Sequence, residues 1–171
     1  MSRPRWAAVA VVLRDGDVLL VRRSARPGDP WSGDWAFPGG FGHAEDRDPP
    51  ATARRETEEE VGLRLGPDRG RLPARWIVDP WRRRPVRLVP VLFRAPRQEP
   101  HPDPAEVAEA RWVPLSVLED PTRRGHQWRL VRGVLPWRAD VRRLDDGAVW
   151  GLTGRMLDDL ARVSERAGIT P

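Results

Sequence analysis

The sequence predicts a chain of mixed α and β elements, and three observations carry the prediction. Runs of strand length, rich in valine, leucine and alanine, lie at Trp6–Leu13, Val18–Arg23 and Val86–Phe93. Helix signals bracket Pro49–Val61, with Asp48 at the N-cap, Pro49 at the first helical position and Gly62 just past the end. Near the C-terminus, Leu152, Met156, Leu157, Leu160 and Val163 recur at helical spacing within 152–167.

Length and composition set the frame. A chain of 171 residues suits one domain with a real core, and the whole of 1–171 reads as that domain. Hydrophobic residues make up 39% and charged residues 32%, as in an ordinary globular protein. Cysteine is absent, which excludes disulfides and thiolate metal sites and is compatible with a cytoplasmic location. Any metal site must then use oxygen or imidazole ligands, which favours Mg²⁺ or Mn²⁺ over structural zinc. The net charge is +5 and every basic side chain is arginine, with no lysine, asparagine or tyrosine. This reads as a compositional bias, so the basic balance argues only weakly for nucleic acid, and none is expected as a partner. Arginine does suit bidentate capture of phosphate, so an anionic substrate fits.

Taken in order, Trp6–Leu13 is far too short to span a bilayer, and no membrane partner or targeting signal is expected. It is followed by Asp15-Gly16 and a second apolar run, which together read as a hairpin. Residues 24–36 form a loop rich in glycine, proline and tryptophan, and Phe37-Pro38-Gly39-Gly40 punctuates the chain before a polar loop to Asp48. Beyond the first helix, Arg75–Val78 and Val86–Phe93 read as strands, the second central to a sheet. Gln98–Pro104 is a polar loop, Arg111–Pro114 a short strand and Ser116–Glu119 a helical turn. Arg129–Leu135 and Ala148–Trp150 are further strand candidates, before the final helix.

The chemistry gathers on the first helix. Glu56, Glu59 and Glu60 are spaced i, i+3, i+4, so their carboxylates share one face. They occupy its last turns, where the macrodipole is unfavourable to anions by a few tenths to about 1 kcal/mol each. Like charges four apart add a similar penalty. A bound cation offsets both directly, and three carboxylates suit Mg²⁺. A solvated helix whose glutamates are neutralised by Arg54 and Arg55 is the plain alternative for this run alone. Its context is different: Gly39-Gly40 ahead of the helix allows backbone to approach a metal or phosphate closely.

Phe37 to Leu63, FPGGFGHAEDRDPPATARRETEEEVGL, resembles the Nudix box, G-x5-E-x7-R-E-U-x-E-E-x-G-U with U aliphatic. Arg55-Glu56, Glu59-Glu60 and Gly62-Leu63 match. Thr57 stands where an aliphatic residue is usual. The loop from Gly40 to Arg55 is one residue longer than the common form, and Arg47 falls where the upstream glutamate would be; Glu45, Asp46 and Asp48 are the acids that could replace it. The resemblance implies an α/β/α sandwich with a mixed β-sheet. It implies a cation, Mg²⁺ or alternatively Mn²⁺, held by Glu56, Glu59 and Glu60 with help from the Gly39 carbonyl. Arg55 would orient the carboxylates by salt bridge. A further glutamate often enters such sites from a loop before a late strand near a tryptophan. Glu106, six residues ahead of Trp112, is the candidate for metal ligand or general base, with Glu109 in reserve. His43, His101 and His126 lack ligand spacing and read as surface residues.

The similarity extends to the coenzyme A pyrophosphatase branch. Leu19, Leu20, Arg23 and Ser24 match L-L-x-x-R-S, and Gly33 and Phe37 match G-x3-F-P-G-G. Asp29 and Trp31 depart from it, standing where arginine and histidine are common. Arg23 and Arg26 are candidate phosphate contacts, with Gly40 lining the substrate side. Trp81 with Arg82 to Arg84 forms a basic-aromatic patch that reads as a solvated hairpin tip. The expected reaction is hydrolysis of a diphosphate linkage in coenzyme A or a related compound. The alternatives are a diphosphatase for ADP-ribose, nucleotide sugars or dinucleotides, a non-catalytic nucleotide sensor, and an RNA-binding module. The family resemblance also allows a homodimer.

Overall fold

The computed structural model describes residues 6–25, 32–79, 83–131 and 135–167. Its centre is β1 (Trp6–Arg14), which turns back into β2 (Asp17–Arg23). Asp15 and Gly16 both take positive φ, 46° and 88°, as a two-residue hairpin turn requires. Two short strands follow, β3 (Trp35–Ala36) and β4 (Gly39–Phe41), both inside segments that read as loop. Helix α1 (Pro49–Val61) comes next, then β5 (Gly70–Arg71), β6 (Arg75–Val78) and β7 (Pro85–Arg94).

The larger sheet is mixed. β1 runs parallel to β7, from Trp6 opposite Arg87 to Leu13 opposite Arg94. It is antiparallel to β2 at its C-terminal end and to β4 near its start. β7 also carries β5 and β6, so it lies inside the sheet as expected. On its outer side β2 pairs with β8 (Val107–Pro114), a longer strand than Arg111–Pro114 suggested, because Val107 to Ala110 alternate too weakly in polarity to announce themselves.

The chain then makes α2 (Leu115–Glu119), a 3₁₀ turn at Pro121–Arg123 and a three-stranded antiparallel sheet. Its strands are β9 (Arg124–Val131), β10 (Leu135–Leu144) and β11 (Gly147–Trp150), and α3 (Gly151–Ala167) closes the fold. The single strand expected at 129–135 is corrected here: the described chain places the ends of two paired strands there, Leu135 opposite Val131. β10 escaped notice because it interleaves arginine and aspartate with its buried Ala139 and Val141.

β1 shows why the sheet is covered on both sides. Ala7 and Val11 join one core, with Leu115, Leu118, Met156, Leu157 and Leu160. Ala8, Ala10 and Val12 join the other, with Ala53 and Val61 of α1. The period-2 alternation therefore feeds two apolar layers, and the run reads as continuously hydrophobic. α1 and α3 cover opposite faces, so the fold is an α/β/α sandwich. The apolar stripe of α3 is shorter than its spacing implied: Leu152 and Val163 are exposed, and an ion pair from Arg75 of β6 to the buried Asp159 helps dock the helix instead. Among the described residues, no helix is long and apolar enough to cross a membrane.

Candidate metal and active site

Local signals place α1 against β4. The Asp48 side chain accepts from Ala51 N–H at 2.8 Å, capping the helix, a contact worth about 1 kcal/mol. Gly62 ends it in the left-handed region, its N–H bonded to Glu58 O at 2.9 Å. Thr57 is fully buried, and its Oγ1 donates to Ala53 O at 2.7 Å. That bond explains how threonine occupies an aliphatic position: the hydroxyl is satisfied one turn back, leaving its methyl for packing.

The two glycines of β4 touch two of the glutamates. Gly39 N–H donates to Glu60 Oε2 at 3.0 Å. Gly39 has φ +151°, and a Cβ there would come within 2.3 Å of Ala8 O, so only glycine fits. A Cβ on Gly40 would lie 2.6 Å from the Glu56 carboxyl carbon and oxygens. The contact seen between Gly39 and the glutamates is through its N–H.

Arg55 sits beside this pair. Its Nη2 is 2.8 Å from Glu56 Oε1 and its Nη1 is 2.8 Å from Glu59 Oε2. It also donates to Phe41 O at 3.2 Å and to both oxygens of Asp46, at 3.1 and 3.0 Å. Burial alone would favour its neutral form, but the bond to Asp46 and the charge of Glu56 outweigh this and raise its pKa further.

Electrostatics mark the same place. Burial pushes the Glu60 carboxyl up to about 8; the Gly39 N–H and the Arg23 charge oppose the shift, while Glu56 and Glu106 add to it. Burial also raises Glu56, against the pull of Arg55 and with a push from Glu59. Asp46 behaves oppositely. Desolvation would raise it, but hydrogen bonds from Arg55, the His43 N–H and Thr52 together hold it below the usual carboxylate range.

The loop before β8 is tied to the end of α1. His101 N–H donates to Val61 O at 2.8 Å and Asp103 N–H to Glu60 O at 2.9 Å, satisfying carbonyls the helix leaves open. Ser24 closes the other side, its N–H on Glu106 O and its Oγ on Pro104 O, both at 3.0 Å. This brings Glu106, exposed, into electrostatic range of Glu60.

The structure therefore brings together Arg55, Glu56, Glu60, Gly39 and Gly40, with Arg23 and Glu106 acting on Glu60 through their charges. Glu59 is half exposed and held by Arg55. Among the described residues, no three acidic or imidazole side chains are drawn up as a ready-made ligand cluster. Glu109 is engaged by Arg111, at 2.9 Å from its Nε. Arg26, Asp29, Trp31, Trp81 and Arg82 lie outside the described residues. Sequence reasoning missed Thr52 and Trp6, which no spacing rule connects to the site; His43 is exposed, and its backbone N–H bonds to Asp46. The donor set suits a hard divalent cation: carboxylates forced into a desolvated corner, with backbone but no side chain at Gly40 to block approach.

Comparisons with known proteins bear on the family and the fold. Residues 4–134 match the NUDIX domain family. Nudix hydrolase 22, chloroplastic, of Arabidopsis thaliana is 32% identical over 173 residues, covering 94% of this chain and 56% of that protein. The mitochondrial coenzyme A diphosphatase NUDT8 of Homo sapiens is 33% identical over 159 residues, covering 89% of this chain and 66% of that one. The chain thus spans little more than half the length of the Arabidopsis relative. The crystal structure of a MutT/nudix family protein from Enterococcus faecalis superposes with a TM-score of 0.61 over 96% of this chain and 64% of that one; at 19% identity it bears on the fold alone.

Proposed function

From the premise that this chain belongs to the Nudix family, we propose that it is a pyrophosphohydrolase that cuts a diphosphate linkage in a nucleotide derivative, coenzyme A or a related compound being favoured. Residues 1–171 act as one domain in this reading. The observation that carries it is the packing of Glu56 and Glu60 of α1 against Gly40 and Gly39, with Arg55 bridging Glu56 and Glu59. The coenzyme A preference draws its support from the Arg23-Ser24 and Phe37 motif and from the human relative's name.

In this reading Glu56, Glu59 and Glu60 hold Mg²⁺, for which Mn²⁺ can substitute. When bound, the cation would neutralise charge on the diphosphate and acidify a water molecule. The chain's own groups do the rest. Arg55 keeps Glu56 and Glu59 apart and aimed. The Gly39 N–H holds one oxygen of Glu60 and leaves the other for a ligand. Glu106, exposed beside Glu60, is the group to take a proton from the attacking water. Arg23 offers its guanidinium to a substrate phosphate. A cytoplasmic setting, which a cysteine-free chain permits, belongs to the same proposal.

The test is a substrate panel: coenzyme A, ADP-ribose, NADH, diadenosine polyphosphates and nucleoside triphosphates, each with Mg²⁺, beside a Glu59→Gln variant. Metal-dependent cleavage that disappears in the variant supports the reading, and the best substrate assigns the branch. A folded protein that cleaves none of them points to the sensor role.

A further inference from the structure

The turn that carries Glu106 is fastened from two sides by residues outside the carboxylate helix. On the β2 side, Arg22 lies opposite Glu109 and Arg23 opposite Val107, so Ala108 is the extra residue of a bulge in β8. Strict alternation would put Val107 on the face of Val113, which belongs to the other core layer. With the bulge, Val107 enters the buried layer that holds Ala53 and Val61 of α1. Ser24 then continues the ladder by one more bond, its N–H on Glu106 O at 3.0 Å. Its Oγ adds a second, to Pro104 O at 3.0 Å. On the α1 side, Asp103 N–H donates to Glu60 O at 2.9 Å. Asp103 also closes the turn: its O accepts from the Glu106 N–H at 2.9 Å and the Val107 N–H at 2.8 Å, and its Oδ1 from the Ala105 N–H at 2.9 Å. The start of the loop is pinned separately, where Glu99 accepts from Arg14 Nη1 at 2.5 Å and from Trp112 Nε1 at 3.2 Å.

We propose that Ser24 is a positioning residue for Glu106: it clamps the 104–106 turn to the end of β2, so that the Glu106 side chain leaves from a backbone fixed relative to Glu60. The inference rests on the reading of Glu106 as the general base, and it gives the serine of the Arg23-Ser24 pair a part in the chemistry. A general base must stand within hydrogen-bond reach of the water it deprotonates, and an error of about 1 Å in placement costs on the order of a hundredfold in rate. Glu106 is exposed, so the backbone that carries it sets where its carboxylate can reach. That backbone hangs between two elements of the site. Asp103 ties it to the last turn of α1, and Ser24 ties it to β2. Any residue but proline could supply the Ser24 N–H, whereas the bond to Pro104 O needs a side-chain donor, which the hydroxyl provides. Without the hydroxyl, the β2 side keeps one tie of two, and the turn gains freedom just where Glu106 stands.

A double-mutant cycle read by steady-state kinetics, with amide hydrogen exchange of the metal-free protein beside it, tests this. Wild type, Ser24→Ala, Ser24→Thr, Glu106→Gln and the Ser24→Ala, Glu106→Gln double variant are compared over the substrate panel. The expected result is a kcat lowered about tenfold by Ser24→Ala on every substrate cleaved, with KM held within about twofold. On the Glu106→Gln background the same change costs less than about twofold. Ser24→Thr restores most of the rate. Exchange at the Glu106 and Val107 N–H groups quickens at least about tenfold in Ser24→Ala, while the α1 amides exchange as in wild type. A raised KM for coenzyme A alone would make Ser24 a substrate contact and overturns the proposal. Losses that multiply independently, or unchanged exchange in the turn, also overturn it; an impaired Glu106→Gln then leaves the general-base reading standing. A Glu106→Gln protein that turns over like wild type overturns that reading and the proposal together, as does a wild type that cleaves none of the panel. Should Ser24→Ala not fold, Asp103→Ala removes the acceptor for the Ala105 N–H in the same turn and carries the same cycle, with the same outcomes decisive.

Discussion

The Cα of Gly40 abuts the carboxyl group of Glu56 so closely that a Cβ there would lie 2.6 Å from its carbon and from both oxygens. What must move is the end of one side chain, not backbone. Gly40→Ala is therefore expected to leave the thermal midpoint nearly unchanged while displacing Glu56 and lowering metal-dependent turnover by at least about tenfold. Melting curves and steady-state rates measured on the same preparation check the two halves. A large fall in the midpoint, or unchanged turnover, contradicts the reading.

Glu60 offers a test in which stability and activity move in opposite directions. Its carboxylate is buried and held by the Gly39 N–H, which a glutamine oxygen can also satisfy. Near neutral pH the buried group must take up a proton on folding, a cost that Glu60→Gln removes, so the metal-free protein should be as stable as wild type or more so. Turnover should drop about a hundredfold, and stabilisation by added Mg²⁺ should vanish. Denaturant melts with and without Mg²⁺ report both.

The same group gives a pH dependence of known sign. Its folded pKa, about 8, is raised above the ordinary 4.5, so between those values the folded metal-free protein binds a proton that the unfolded chain does not. Stability from this group therefore falls as pH rises through that window. A cation must displace the proton, so affinity for Mg²⁺ should climb with pH and level off above about 8, with proton release on binding below it. Calorimetry in two buffers of different ionisation enthalpy measures the released protons. Affinity flat across the window would contradict the role of Glu60 as a ligand.

Thr57 is expected to tolerate replacement. Its hydroxyl bonds to Ala53 O within the helix, and its methyl is buried. Thr57→Val keeps the shape and removes a local bond, so the change in stability should stay within about 1 kcal/mol and the rate should not fall. Chemical denaturation and an activity assay are sufficient checks. A large loss of turnover would assign the hydroxyl a role beyond packing.

Much of this arrangement is legible along the chain because it is local. The cap at Asp48, the stop at Gly62 and the i, i+3, i+4 carboxylates all act within a few residues of one another, and the helix formed where they indicated. The Asp15-Gly16 turn is equally local. β10 was not legible, since its buried side belongs to a small sheet whose outer face is charged, and Leu152 and Val163 obeyed helical spacing without reaching the core.

By itself the sequence determined which residue types could do chemistry and the helix face on which three glutamates would stand. Those depend on backbone geometry that repeats every few residues. Only the tertiary structure decided which acid meets Arg55, that Trp6 and Thr52 support it from positions 46 residues apart, and that Gly39 and Gly40 press against Glu60 and Glu56. Choosing Asp46 over Glu45 and Asp48 turns on ångström distances across a loop with an extra residue. Raising Glu60 turns on how much water the sheet and the Glu106 loop exclude. Desolvation and hydrogen-bond geometry are properties of the packed whole, and no spacing along the chain encodes them.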